Sequence, residues 1–85
     1  MKKVVFSTHA EDKFLVLQRH GFEVAKRLVL EALRNPDKVE AGYKDRKVAQ
    51  KVIDEAHVLR VVFEDLLDRM RVITFYPGRR DRYEN

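Results

Sequence analysis

Apolar residues recur with a helical period in the first part of the chain, after a short apolar strand. Val4-Val5-Phe6 is that strand, and Ser7-Thr8 ends it. Two helical stripes follow, made of Ala10, Phe14 and Leu17, and then of Ala25, Leu28, Val29, Ala32 and Leu33. The second stripe recurs every three to four residues and so forms one continuous apolar face. The pattern predicts a strand and then two helices joined as a short hairpin.

Both predicted helices carry boundary signals. Thr8 with Glu11 is typical of a capping box, in which a hydroxyl and a carboxylate each satisfy a free backbone N–H. Gly21 is expected to end the first helix. Asn35-Pro36 ends the second, because proline disfavours helical backbone in the residue before it.

After Pro36 the period changes to two, which is typical of β-strands. The alternation predicts four strands: Lys38 to Tyr43, Arg46 to Asp54, His57 to Glu64 and Met70 to Tyr76. Because the connections are short, neighbouring strands should pair as an antiparallel meander. The face that meets the helices should carry Leu59, Val61, Phe63, Ile73 and Phe75. The opposite face, called the distal face below, should carry Arg60, Thr74, Tyr76 and part of the Arg46 to Lys51 strand.

The predicted order is β-α-α-β-β-β-β, an α+β fold with a helical hairpin packed on one face of an antiparallel sheet. A chain of 85 residues makes one domain over positions 1–85. The pair Leu66-Leu67 falls where a hairpin turn is needed. These leucines either extend the strands, fill a gap in the core or, if exposed, mark a protein contact.

Composition excludes several classes of function. With no cysteine, disulfides, thiolate metal sites and cysteine nucleophiles are absent. The three histidines follow no metal-ligand spacing, so no metal and no cofactor is expected. No apolar run is long enough to cross a membrane, which favours a cytoplasmic protein without a membrane partner. The charged fraction of 38% and the scarcity of Asn and Gln are typical of a thermophilic source.

Positive charge is concentrated near the end of the chain. The segment from Arg69 to Tyr83 holds five arginines and one acidic residue. Its formal charge of +4 equals the net charge of the whole chain. Tyr76 and Tyr83 flank its last three arginines: Arg79, Arg80 and Arg82. The guanidinium of arginine can donate two hydrogen bonds to the oxygens of one phosphate, and aromatic rings can stack on unpaired bases. The segment therefore favours RNA as a partner.

Pro77-Gly78 is predicted to be a turn that returns the arginines over the sheet. The alternative is a frayed, solvated end.

Three further side chains are candidates for chemistry. Arg60 lies in the most apolar strand, either paired with an acid on a neighbouring strand or at the centre of a phosphate site. His9, in the first helical turn, is either a general base or a capping or packing residue. Lys51 belongs to the strand that shares the distal face, which makes it a candidate RNA contact.

Four segments together resemble a small domain-of-unknown-function family that is itself similar to the RelE/ParE toxin superfamily and close in layout to BrnT toxins. They are Phe6-Ser-Thr-His-Ala10, Leu33-Arg-Asn-Pro36, His57-Val-Leu-Arg-Val-Val62 and Arg71-Val-Ile-Thr-Phe-Tyr-Pro-Gly-Arg-Arg80. The resemblance covers nearly the whole chain and implies a RelE-like fold. It also implies a toxin that a partner antitoxin neutralises.

The resemblance further implies a metal-independent endoribonuclease that acts on mRNA, usually on the ribosome. In such a reaction a ribose 2′-OH attacks the adjacent phosphate, which requires a base, an acid and cations. By position, Arg60 and either Arg79 or Arg80 would stabilise the phosphate. Either Tyr76 or Tyr83 would position or stack a base, and His9 would be the titrating base. Lys51, Tyr76, Arg79 and Arg82 would bind the RNA.

The sequence is also compatible with two other functions. The same fold can serve as a non-catalytic module that binds RNA or a protein. It can also form a homodimer through Leu66-Leu67.

Overall fold

The elements follow the predicted order, with one additional short helix at the end. The computed structural model describes residues 2–84. The elements are β1 Lys3–Phe6, α1 Thr8–Arg19, α2 Lys26–Arg34, β2 Lys38–Ala41, β3 Lys47–Val52, β4 His57–Asp65, β5 Arg69–Arg79 and α3 Arg80–Tyr83. The five strands form one sheet in the order β1-β5-β4-β3-β2. The predicted α+β class is confirmed.

The sheet is antiparallel except at one edge. From β2 to β5 each strand pairs antiparallel with the next, as the short connections predict. β1 instead pairs parallel with β5, so the prediction of an antiparallel sheet throughout is wrong at this edge. The reason is topological. The helices carry the chain away from β1 before the meander begins, so its partner is the last strand, which runs in the same direction.

The core lies between the sheet and the first two helices. α1 packs on β5 and β1, and α2 packs on β4 and β3. The alternation in β4 is as predicted, since Leu59, Val61 and Phe63 are buried in this core. In β5 the strict alternation fails. The pairing slips by one residue, so that Val62 pairs with Thr74 but Phe63 pairs with Val72.

Ile73 is therefore the extra residue of a β-bulge, and its predicted place in the core is wrong. Val72 is fully buried on the helix side instead, and Phe75 is fully buried there as predicted. Ser7 fixes the bulge, because its Oγ donates a hydrogen bond of 2.8 Å to the carbonyl of Ile73. The same Oγ accepts the backbone N–H of Ala10, which makes Ser7 the cap of α1. The predicted capping box at Thr8 is thus displaced by one residue, since Glu11 pairs with Lys26.

The end of the chain also departs from the prediction. Pro77 and Gly78 do not form a turn; they pair with Leu59 and Val58 inside β5. The chain turns only after Arg79, where the four-residue α3 packs against β4 and β5. The Leu66-Leu67 pair does form the β4–β5 hairpin, and the side chain of Leu67 is 97% exposed. No helix among residues 2–84 is long and apolar enough to cross a membrane.

Candidate functional site

Arg60 lies at the centre of a polar cluster on the distal face of the sheet. Its strand alternates, so Arg60 points away from Leu59 and Val61, and its Cα partners are Gln50 on β3 and Tyr76 on β5. Arg60 is only 9% exposed although neither α1 nor α2 covers this face. The cluster comprises Arg60, Glu40, Gln50, Tyr76 and Tyr83, and is called the Arg60 cluster below.

Hydrogen bonds fix the guanidinium of Arg60 on two of its three nitrogens. Nη1 donates to Glu40 Oε1 at 2.9 Å and to the side-chain oxygen of Gln50. Nε donates to the hydroxyl oxygen of Tyr76 at 3.1 Å. No residue among 2–84 accepts a hydrogen bond from Nη2. The cluster therefore holds one guanidinium rigidly and leaves one of its nitrogens for another acceptor.

Tyr83 of α3 covers this guanidinium. The Arg60 Cζ atom lies 4.4 Å from the centroid of the Tyr83 ring, which is close enough for a cation–π contact. Gly78 makes room for the ring, since a Cβ built on Gly78 would lie 2.4 Å from Tyr83 Cε2. The sequence Gly78-Arg79-Arg80-Asp81-Arg82-Tyr83 thus returns an aromatic ring to the distal face.

The cluster sets the charge of its members. The hydrogen bond from Arg60 holds the pKa of Glu40 below its ordinary value, against a smaller opposing effect of burial. Burial disfavours the charged form of Arg60, but its hydrogen bonds to Tyr76 and Glu40 outweigh burial and raise the pKa of Arg60. At neutral pH the site thus contains a carboxylate beside a guanidinium.

Three more cations belong to β2 and α3, the elements beside the cluster. Lys38 belongs to the distal face and its Nζ donates to the backbone carbonyl of Tyr83 at 2.9 Å. Arg80 and Arg82 lie on α3, and Arg80 Nε donates to Glu84 Oε1, which raises the pKa of Arg80. The Arg82 side chain lies 5.9 Å from the Tyr83 ring centroid and forms no ion pair with the described residues. These side chains could contact the phosphates of a strand that crosses the cluster.

Two of the predicted RNA contacts lie on the helix side of the sheet. Lys51 pairs with the core residue Leu59, and its Nζ donates to the carbonyl of Asn35 at the end of α2. Its predicted place on the distal face is wrong, because Val48, Gln50 and Val52 occupy the distal positions of β3. Arg79 pairs with His57, also on the helix side, because it lies three positions after Tyr76 and the faces of a strand alternate.

His9 and the Arg60 cluster lie on opposite sides of the sheet. It is exposed on α1, which packs against the face of the sheet opposite to Arg60. Among residues 2–84, no side-chain hydrogen bond involves His9. The expectation that His9 would join Arg60, Arg80 and Tyr83 on one surface is therefore wrong, whereas Arg60, Tyr76 and Tyr83 do converge.

Glu40 and Gln50 are the members of the site that sequence reasoning missed. Glu40 is on β2, two strands away from Arg60, and reaches it across β3. The signal was present in the alternation of β2, where Lys38 and Glu40 share a face. Assigning that face required the register of the β2–β3 hairpin, which the turn at Tyr43–Asp45 determines.

Within residues 2–84 no group of histidine and carboxylate side chains is arranged to hold a metal ion. Comparison of the sequence and the fold with protein-family models, characterised proteins and solved structures gave no significant match. The geometry of the Arg60 cluster is therefore the basis for inferring a function.

Proposed function

We propose that the protein is a toxin-like, metal-independent endoribonuclease of RelE-like fold, with its active site at the Arg60 cluster. The observation that carries this proposal is the contact of one guanidinium with a carboxylate and a phenol, at 2.9 Å to Glu40 and 3.1 Å to Tyr76. These are the three kinds of group that cleavage of RNA by its own 2′-OH requires.

The reaction assigns one step to each group. The carboxylate of Glu40 takes the proton of the ribose 2′-OH, using Oε2, which accepts no hydrogen bond from residues 2–84. The 2′ oxygen forms a bond to phosphorus and the bond from phosphorus to O5′ breaks. Arg60 Nη2 stabilises the phosphoryl oxygens, and the phenol of Tyr76 donates a proton to the departing O5′. The products are a 2′,3′-cyclic phosphate and a free 5′-hydroxyl.

This assignment replaces His9 with Glu40 as the base. The low pKa of Glu40 keeps it ionised and able to accept a proton at neutral pH, although it also makes Glu40 a weaker base. Lys38, Arg80 and Arg82 around the cluster supply attraction for the RNA backbone that does not depend on sequence. The partners of the protein are then RNA, including ribosome-bound mRNA, and a cognate antitoxin.

Product analysis tests the proposal. Purified protein is incubated with single-stranded RNA in excess chelator, with and without ribosomes, and the ends of the fragments are identified by mass spectrometry. We expect 2′,3′-cyclic phosphates and 5′-hydroxyls, together with slower growth of cells that express the protein. Intact RNA under both conditions, with normal growth, would rule out the nuclease.

A second candidate is a non-catalytic RNA-binding module of the same fold. It is favoured by the low exposure of Arg60, which Tyr83 covers, whereas Arg82 is exposed. Such a module binds RNA through α3 and the edge of the distal face and leaves the strand intact. Salt-dependent binding without cleavage would select this candidate.

A further inference from the structure

The distal face is closed over the Arg60 cluster by α3. Val58 is 0% exposed and Arg60 is 9% exposed, although both point away from α1 and α2. Val58 pairs with Gly78, and the ring of Tyr83 lies against Gly78. A phosphate oxygen must approach to about 3 Å of a guanidinium nitrogen to form a hydrogen bond. The covered Arg60 offers little surface for such an approach.

α3 is attached to the sheet by the ring of Tyr83, which contacts Arg60 and Gly78, and by a few hydrogen bonds. None of its residues is buried, and four residues are too few for a helix that is stable alone. The carbonyl of Tyr83 accepts hydrogen bonds from Lys38 at 2.9 Å and from Gln50 at 3.4 Å. The N–H of Arg80 donates to the carbonyl of Ala56 at 2.8 Å. The ion pair of Arg80 with Glu84 lies within the segment and does not join it to the sheet.

The sheet beneath does not depend on α3. The pairing of β4 with β5 extends to His57 and Arg79 and ends before the helix begins. The buried core on the helix side contains no residue of α3. The segment can therefore separate from the sheet while the rest of the fold stays intact, as local openings do in other proteins.

We propose that residues 80–84 form an autoinhibitory cover, so that the Arg60 cluster accepts a phosphodiester only when this segment lifts. The identity of the ligand rests on the proposed function, but the cover is a property of the chain alone. Arg80 and Arg82 belong to the cover itself. An RNA strand that binds these arginines better in the lifted state shifts the population towards the open site.

Chemical modification of arginine measures the cover without any RNA. Phenylglyoxal adducts on Arg60 are quantified by mass spectrometry in the full chain, in Gly78→Ala and in Tyr83→Ala. The methyl group of the first variant occupies the position of the Tyr83 ring, and the second removes the ring. Tyr43→Ala is the matched control, because Tyr43 is 81% exposed on a distant turn.

We expect Arg60 to react severalfold faster in both variants, towards the rate of Arg79, whose side chain is 77% exposed. The rate at Arg79, and the rate at Arg60 in Tyr43→Ala, should not change. Unchanged modification of Arg60 in folded Gly78→Ala and Tyr83→Ala would overturn the proposal. Hydrogen exchange in the unaltered chain is a second test. If the amide of Arg80 is as protected as that of Val61, the cover does not open separately and the proposal fails.

Binding of a non-cleavable 2′-deoxy oligonucleotide separates this inference from the proposed function. Faster modification with tighter binding in Gly78→Ala supports both. Faster modification without any binding supports the cover and contradicts RNA as the ligand.

Discussion

Arg60 Nη1 lies 2.9 Å from Glu40 Oε1, although their strands, β4 and β2, are not neighbours in the sheet. The ion pair crosses β3 beside Gln50, which is 2% exposed. It therefore ties the edge strand β2, whose residues are all exposed, to the middle of the sheet. The same contact that places a carboxylate in the candidate site also contributes to the stability of the fold.

Replacement of Arg60 should destabilise the fold. Arg60→Ala removes three hydrogen bonds and leaves the buried Gln50 side chain without a partner for its oxygen, so we expect a loss of about 2 kcal/mol in the free energy of unfolding. The pair of Arg71 with Glu64, which is only partly buried, is the control, and Arg71→Ala should cost less than about 1 kcal/mol. Urea unfolding of both variants measures the difference, and equal losses would argue against a structural role for the cluster.

Acid should weaken the fold in a defined range of pH. Glu40, Asp54 and Asp65 all have a pKa below the ordinary value in the folded state. A carboxyl group whose pKa is lowered by folding adds stability above its unfolded pKa, here 4.5 for glutamate. That stability is lost as the pH falls through the lower, folded pKa. Urea midpoints should therefore fall from neutral pH to about pH 3.

The variant Glu40→Gln isolates the share of Glu40 in this acid sensitivity. Glutamine can still accept a hydrogen bond from Arg60 but does not titrate, so the fall in the urea midpoint should be shallower than in the unaltered chain. Asp54 and Asp65 retain their own contributions. A fall as steep as that of the unaltered chain would show that Arg60 does not stabilise ionised Glu40.

The β2–β3 turn stores backbone strain that glycine should relieve. Lys44 and Asp45 both have positive φ, at 56° and 61°, as in a type I′ turn, which favours Asn-Gly at these positions. Asp45→Gly should therefore stabilise the fold by up to about 1 kcal/mol. Gly21→Ala should destabilise it by a similar amount, because Gly21 has φ of 79°. Thermal unfolding of both variants should shift in opposite directions, and a lower melting temperature for Asp45→Gly would contradict the assignment of strain.

Much of the fold was predictable because local patterns determine it. The stripe that includes Val29, Ala32 and Leu33 does become the buried face of α2, and the period-two segments do become strands. The bulge at Ile73 was not predictable from alternation, since it depends on the contact of Ser7 with a strand far along the chain. That one extra residue moves Val72 into the core and moves Arg71 to the distal face opposite Glu64.

The candidate site was less predictable because it is assembled by register. Arg60, Tyr76 and Tyr83 stood out by residue type, and they do meet. Lys51 was misplaced by one position in β3, which is enough to exchange the faces of a strand. His9 was a candidate because histidine is a common general base. The packing of α1 places it on the side of the sheet opposite to Arg60, and the residue pattern alone does not determine that side.

Binding of RNA should depend on one side of the molecule. Arg82→Ala should weaken binding and reduce the slope of log affinity against log salt by about one, since one phosphate contact is lost. Lys51→Ala removes the same charge from the helix side of the sheet and should leave both quantities unchanged. Fluorescence anisotropy over a range of salt concentrations measures both variants. Equal losses for the two variants would indicate attraction by net charge alone.

The cleavage rate of single-stranded RNA by Glu40→Gln, compared with Glu64→Gln and His9→Ala, is the most direct test of the proposed active site. Glu64→Gln alters a second arginine–glutamate pair of the distal face, and His9→Ala alters the histidine that lies on the other side of the sheet. We predict that Glu40→Gln slows the formation of 2′,3′-cyclic phosphate ends by about a hundredfold or more, the usual contribution of a general base. The other two variants should cleave at the rate of the unaltered chain. Full activity of Glu40→Gln, or loss of activity in His9→Ala alone, would contradict the account.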